Sequence, residues 1–128
     1  MSTIDDYFVF SRMMLNKGTS GGHRILSRLS VELMTTDQLT AEQKAVSGFF
    51  PGFFDNRGWG FGMSVTTKRD QLASVPGRFG WDGGFGTSGY SDPAEQMVGI
   101  LMTQRSLDAT AIDLSADFWT SAYQAIDD

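Results

Sequence analysis

A serine framed by glycines and followed by a histidine is the first place in this chain where residue types and spacing could do chemistry. Gly18-Thr19-Ser20-Gly21-Gly22 fits Gly-x-Ser-x-Gly, and His23 comes next. A nucleophile elbow needs a strand before its serine, a helix after it and a histidine far downstream. Here the residues before Ser20 read as helix, and His23 is the single histidine. The segment is therefore expected to be a flexible loop after a helix end, with His23 exposed. Gly84-Phe85-Gly86-Thr87-Ser88-Gly89 fits Gly-x-Gly-x-x-Gly. In a dinucleotide site the third glycine opens a helix within a βαβ unit. Tyr90-Ser91-Asp92-Pro93 reads as strand and turn instead, and no basic residue near the loop offers itself to phosphate. That match is expected to be accidental.

Two further groups remain. Phe49, Phe50, Phe53 and Phe54 sit in a breaker-rich loop, where they either line an apolar substrate mouth or interface or fill the core beneath the loop. An exposed cluster of that size is unusual for a monomer. The run Phe79-Gly80-Trp81-Asp82-Gly83-Gly84-Phe85-Gly86-Thr87 is the most distinctive segment. Glycines this dense weaken a strand and suggest that a ligand or another backbone approaches closely. Free amides on such a strand can stabilise an oxyanion, the largest single contribution in many acyl transfers. A bulged edge strand explains the same residues.

The elements that must position these groups follow from capping and periodicity. Thr3 can cap a helix whose first turn holds Asp5 and Asp6, with Tyr7, Phe10 and Met14 on one face and Gly18 as its stop. A shorter helix is expected after Ser30, and Thr40 with Gln43 has capping-box spacing. From Trp59 the pattern changes to alternation. Strands are expected at Trp59–Thr66, Arg78–Trp81, Phe85–Ser91 and Met97–Met102, with a turn at Asp92-Pro93. A final amphipathic helix follows Asp113, with Phe118, Trp119, Ala122, Tyr123 and Ile126 on one face. The expected fold is α+β: leading helices, an antiparallel sheet of three to four strands and a C-terminal helix packed on it, in one domain spanning residues 1–128.

Composition narrows the function classes. Fifteen acidic against ten basic residues give a net charge of −5, which argues against a nucleic-acid partner. No apolar run approaches the ~20 residues that a membrane span needs, so no membrane partner is expected. There is no cysteine and only one histidine, so neither a metal site nor a cofactor is expected. The acidic start, Ser2-Thr3-Ile4-Asp5-Asp6, is unlike a signal or transit peptide, and a cytoplasmic location is expected.

Read together, several pieces resemble one family. Gly80-Trp81-Asp82-Gly83-Gly84-Phe85-Gly86-Thr87, Tyr90, Asp92-Pro93 and Val98-Gly99-Ile100-Leu101-Met102-Thr103-Gln104 are similar to the C-terminal region of serine β-lactamase-like hydrolases. That family includes class C β-lactamases, penicillin-binding-protein-like peptidases and β-lactamase-fold esterases. Upstream, Asp5-Asp6-Tyr7, Arg12-Met13-Met14-Leu15-Asn16, Gly22-His23-Arg24-Ile25-Leu26-Ser27, Val31-Glu32-Leu33-Met34 and Trp59-Gly60-Phe61-Gly62 fall in the family's order. The resemblance implies that Trp81-Asp82-Gly83 stands where the family carries its third active-site motif, in the Trp-x-Gly form of esterase-like members. It also implies that the Gly84 amide is an oxyanion donor.

The chain departs from that pattern at the chemistry. The residues three before Lys17, Lys44 and Lys68 are Met14, Ala41 and Val65, so Ser-x-x-Lys is absent. Two residues after Tyr7, Tyr90 and Tyr123 stand Val9, Asp92 and Ala125, so Tyr-x-Asn and Tyr-x-Ser are absent too. At Gly89-Tyr90-Ser91 a glycine replaces the bulky aromatic that the resemblance leads one to expect. No catalytic nucleophile is therefore assigned, and the chain is expected to be a C-terminal piece of an ester- or amide-cleaving serine hydrolase, inactive alone. The contrasting expectation is a non-catalytic assembly module using its phenylalanine loop or a sheet edge. In Met97–Met102 apolar residues fall on both faces, as in an interior strand. The expected partner is either a second copy, docked along this strand, or a complementary N-terminal hydrolase segment.

Overall fold

Thr3 starts the first helix by accepting a hydrogen bond from the Asp6 amide at 3.1 Å, with Asp5 and Asp6 in the first turn. The protein is described by a computed structural model that covers residues 2–106 and 109–127. Its elements run α1 (Ile4–Leu15), β1 (Thr19–Ser20), β2 (His23–Arg24), α2 (Arg28–Met34), α3 (Ala41–Ser47), β3 (Arg57–Trp59), β4 (Ser64–Thr66), β5 (Phe79–Gly83), β6 (Thr87–Asp92), β7 (Met97–Leu101) and α4 (Ala109–Gln124). Strands β3 to β7 form one antiparallel sheet in sequence order, and β1 and β2 form a separate hairpin.

The fold is α+β, as the sequence implies, but several boundaries differ. Trp59–Thr66 is a hairpin rather than one strand, which raises the sheet to five strands. The apparent alternation there is made by glycines, and Gly60 leaves no room for a side chain beside the Met34 carbonyl. Phe85 is not in a strand: it sits at the β5–β6 turn, 80% exposed, and β6 starts at Thr87. The expected loop after α1 is the β1–β2 hairpin, whose turn residues Gly21 and Gly22 both have positive φ, as two-residue hairpin turns require. Helix α2 starts at Arg28, capped by Ser27, and α4 starts at Ala109, before the expected Asp113. The capping box predicted at Thr40 and Gln43 is present in both directions.

Strand pairing places alternate residues of the sheet against two different helices. Gly89 and Ser91 lie on the α1 side: the Tyr7 ring fills the space over Gly89, and Ser91 Oγ donates to the Ser11 carbonyl at 3.4 Å. Ser11, Met13 and Met14 are the buried residues of α1, whereas the expected face residue Phe10 is largely exposed. Met13, Met14, Val31, Met63, Val65 and Phe79 close one core. On the opposite side α4 lays Trp119 over Gly99, and Trp119 and Tyr123 pack with Ala73 and Val75 in a second core. Tyr90 and Met97 pack at its margin. The sheet is thus sandwiched between α1, which packs on β6 and β7, and α4, which packs on β7 and reaches Ser88 of β6. Burial of these aromatic and aliphatic side chains stabilises the arrangement by roughly 1.5–3 kcal/mol each.

Candidate active-site cleft

Strand β4 covers only the beginning of β5. Ser64 faces Gly80 and Val65 faces Phe79, whereas β6 pairs with β5 all the way to Gly83. From Trp81 onward the outer side of β5 has no strand neighbour among the described residues. That free edge opens on a cleft of about 560 Å³. Trp81, Asp82 and Gly83 form one wall, Phe49, Phe50 and Phe53 another, and Arg78, Tyr90 and Trp119 reach it from the α4 side.

The aromatic wall has a buried centre and exposed flanks. Phe53 is buried and makes edge contacts with Phe49 at 5.1 Å, Phe50 at 5.3 Å and Phe54 at 4.8 Å between ring centroids. Arg57 lies over its ring at 5.1 Å. Trp81 meets Trp59 edge-on at 4.6 Å and approaches Phe49 and Phe53 at 6.3 and 6.5 Å. Phe49 and Phe50 remain 75% and 59% exposed, so half of this loop fills the core and half presents apolar surface. Core filling thus holds for Phe53, while Phe49 and Phe50 are left exposed.

Polar groups behind the free edge are interlocked. Asp82 accepts from Ser88 Oγ at 2.5 Å and from the Tyr90 hydroxyl at 2.6 Å. Trp119 Nε1 donates to Ser88 Oγ at 2.8 Å, which ties α4 to the hairpin. Tyr123 donates to Asp92 Oδ2 at 2.5 Å, and Asp92 also caps the turn that follows by accepting from the Ala94 amide at 2.9 Å. Burial, reinforced by the Asp82 carboxylate, raises the Tyr90 hydroxyl above its ordinary range, and burial with the bond to Asp92 does the same for Tyr123. Both hydroxyls are held as donors.

Arg78 stands at the centre of this group. Its guanidinium carbon is 4.0 Å from the Tyr90 ring centre, 4.0 Å from that of Trp119 and 5.7 Å from that of Tyr123. Nη1 donates to the Ala73 carbonyl at 2.8 Å. Burial lowers its pKa from the usual arginine value, opposed by Tyr123, Tyr90, Asp82 and Asp92. Arginine still carries its charge at neutral pH.

Of the residues singled out by sequence, Trp81, Asp82 and Gly83 come together with Phe49, Phe50 and Phe53. Gly84 is exposed at the hairpin turn and Phe54 packs toward α3, and neither lines the cleft. Ser20 and His23 also lie off it, on the separate hairpin, with His23 exposed. Arg78, Tyr90 and Trp119 carry no local signature of a site. Only the hairpin register, which puts Asp82 opposite Ser88 and Gly80 opposite Tyr90, would have found their grouping.

Comparison with known proteins decides the family. The beta-lactamase family model matches residues 1–118. The chain belongs to the beta-lactamase family. Two curated relatives from Mycobacterium tuberculosis, Protein Rv1367c of strain H37Rv and the uncharacterized protein MT1414 of strain CDC 1551, are each 41% identical to it over 121 residues. The alignment takes in 86% of this chain but 30% of either relative, so this beta-lactamase family chain spans about a third of their length. Among solved structures, simvastatin synthase (LovD) from Aspergillus terreus superposes with a TM-score of 0.69 at 17% identity, over 91% of this chain and 32% of LovD. At that identity the likeness shows a shared fold.

Proposed function

We propose that this chain supplies the oxyanion-side wall of a beta-lactamase-like serine hydrolase that cleaves small esters or amides, with the attacking serine on a segment that the chain does not carry. The observation that carries this reading is the unpaired outer edge of β5 from Trp81 onward, turned toward an aromatic-walled cleft. A carbonyl laid against that edge would meet backbone amides with no ladder partner, and such donors stabilise the charge that develops on oxygen. Phe49 and Phe50, backed by the buried Phe53, supply apolar surface for the acyl or alcohol part. Trp81 favours esters over β-lactams, because a substrate carboxylate at that position calls for a cationic or histidine side chain.

An oxyanion wall has nothing to act on without an activated nucleophile, since nucleophile and base work as a unit. Alone, the chain should give no burst with an activated ester or a chromogenic cephalosporin, and no covalent adduct with a fluorophosphonate. Joined to a family segment that bears Ser-x-x-Lys and Tyr-x-Asn, it should hydrolyse small esters faster than cephalosporins. Stoichiometric labelling of Ser20 in the isolated chain, or efficient cephalosporin turnover with weak esterase activity after reconstitution, would contradict the proposal.

A second reading has its own observation. β7 ends the sheet, its outer side has no partner among the described residues, and Met97 to Leu101 are all half-buried. That edge supports a non-catalytic assembly role through self-pairing.

A further inference from the structure

The β3–β4 hairpin turns three polar side chains toward the cleft without engaging their reactive ends. Arg57, half-buried, lines the cleft and lies over the Phe53 ring at 5.1 Å. Its Nε donates to Asn56 Oδ1 at 3.2 Å, and Asn56 is turned that way because its Nδ2 donates to Asp70 Oδ2 at 2.5 Å. Nη1 and Nη2 bond to nothing among the described residues, and no carboxylate there pairs with the guanidinium. Ser64, only 4% exposed, and the half-buried Thr66 line the same cleft. Thr66 bonds through its backbone, to Arg78 and Gly77, and neither hydroxyl has a partner among the described residues. A nearly buried hydroxyl left in that state is uncommon in native proteins.

These atoms are also open to approach. Among the described residues that are not exposed, unpartnered side-chain nitrogens and oxygens shut off from solvent are confined to Nε and Nη2 of Arg78. The Nη pair of Arg57 and the hydroxyls of Ser64 and Thr66 are not among them, so each is reached from the cleft that its residue lines. Strand register brings the three together. Arg57 faces Thr66 across the hairpin, and Ser64 stands two residues from Thr66 on β4, so all three side chains share one face. With Nε held by Asn56, the guanidinium presents its outer edge, where Nη1–H and Nη2–H are parallel donors in a fixed fork. That fork matches the two oxygens of a carboxylate, and both hydroxyls can add a donor to the same group.

We propose that Arg57, Ser64 and Thr66 form a carboxylate subsite, and that the cleft takes a ligand with an apolar body and an acid group at one end. The body lies against the exposed Phe49 and Phe50. One guanidinium with two neutral hydroxyls balances a single negative charge, which fits a carboxylate better than a phosphate dianion in a chain of net charge −5. As part of a substrate site the subsite rests on the hydrolase reading; as a binding site it stands apart from it. Arg57 lies two strands from β5, about 10 Å at ~4.8 Å per strand. The acid is thus remote from the carbonyl that would be attacked, which agrees with Trp81, rather than a cation, beside the reacting bond.

The test is equilibrium binding by the chain as it stands, which needs no nucleophile and so fails or succeeds independently of turnover. Phenylbutyrate and its neutral amide serve as probes, titrated by calorimetry and followed by nuclear magnetic resonance. The acid should bind about tenfold more tightly than the amide, because a charge-assisted bidentate pair is at stake. It should move the Arg57 Nε–H signal together with the Ser64 and Thr66 amides, and the neutral amide should leave Arg57 unmoved. Arg57→Met should abolish the preference. Ser64→Ala should weaken the acid about threefold and leave the neutral probe unchanged. Arg28→Met, which removes an exposed arginine off the cleft, should leave the preference intact. Should Arg57→Met fail to fold, Ser64→Ala and the resonance shifts of the unaltered chain decide the matter. Equal binding of acid and amide, binding of neither, a preference that survives Arg57→Met, or one lost equally in Arg28→Met overturns the proposal.

Discussion

Arg78, Tyr90 and Tyr123 show how a few side chains set the chemistry of the α4 side of the sheet. The guanidinium sits among ring faces, and the two phenols donate hydrogen bonds to Asp82 and Asp92. None of this was legible residue by residue. Arg78 reads as the ordinary start of a strand, and its neighbours come from β6 and from α4, far along the chain. By contrast, Trp81-Asp82-Gly83 was legible, because dense glycine beside tryptophan is unusual in any strand. The tyrosines give a pH prediction. Both hydroxyl pKa values are raised from 10.0, by burial first and by their carboxylate acceptors next. A raised folded-state value means that the stabilisation is fully present below the unfolded value and is lost as pH climbs toward the folded one. Tyrosinate absorbance from Tyr90 and Tyr123 should therefore emerge only together with loss of the near-ultraviolet circular dichroism signal, above pH 10. Titration of all three tyrosines near their ordinary value, with the fold intact, would refute it.

The elements divide by how local their determinants are. Helix α1 and the capping box of α3 were readable because a cap needs only a hydroxyl and the residues three positions on. The strand expected at Trp59–Thr66 was misread because glycine imitates the polar half of an alternating pattern, while the reason for the break lies outside the strand. Phe61 N donates to the Met34 carbonyl at 3.0 Å and Gly60 N to the Met63 carbonyl at 2.9 Å, so α2 and the β3–β4 turn are sewn together at that point. A Cβ on Gly60 would lie 1.9 Å from the Met34 oxygen, a backbone atom that cannot swing away. Gly62, in the same turn, has φ +84° and open space around it. Denaturant unfolding of the two alanine variants separates these effects. Gly60→Ala should cost roughly 2–4 kcal/mol, the range of a forced core clash, and Gly62→Ala about 1–2 kcal/mol for its left-handed backbone alone. Equal losses would mean that the docking of α2 on this turn is not tight.

For the molecule as a whole, the question is what completes the sheet. β7 has the unbroken apolar run of an interior strand, and as expected for the last strand of this chain it lies at the sheet edge, with β6 its one strand neighbour among the described residues. The pattern was legible; the missing neighbour was not, since a sequence cannot say which chain provides it. Both faces of β7 are already in use, with Trp119 over Gly99 on one side and α1 against the other. What remains open is the row of backbone donors and acceptors, the usual route by which edge strands self-associate. β7 itself lacks the charged residues and proline that commonly block such pairing. We propose that two copies pair antiparallel along Met97–Leu101, a self-complementary two-fold contact. Each copy carries a net charge of −5, so the pair should tighten as added salt screens the repulsion. Light scattering across a dilution series should show twice 14.0 kDa at the concentrated end, with slow amide exchange from Val98 to Leu101. If, as the family resemblance implies, the outer neighbours of β7 belong to the nucleophile-bearing segment, adding that segment should dissolve the pair as esterase activity appears. A monomer at every concentration and salt, with fast exchange along β7, would show that this edge stands open without a partner.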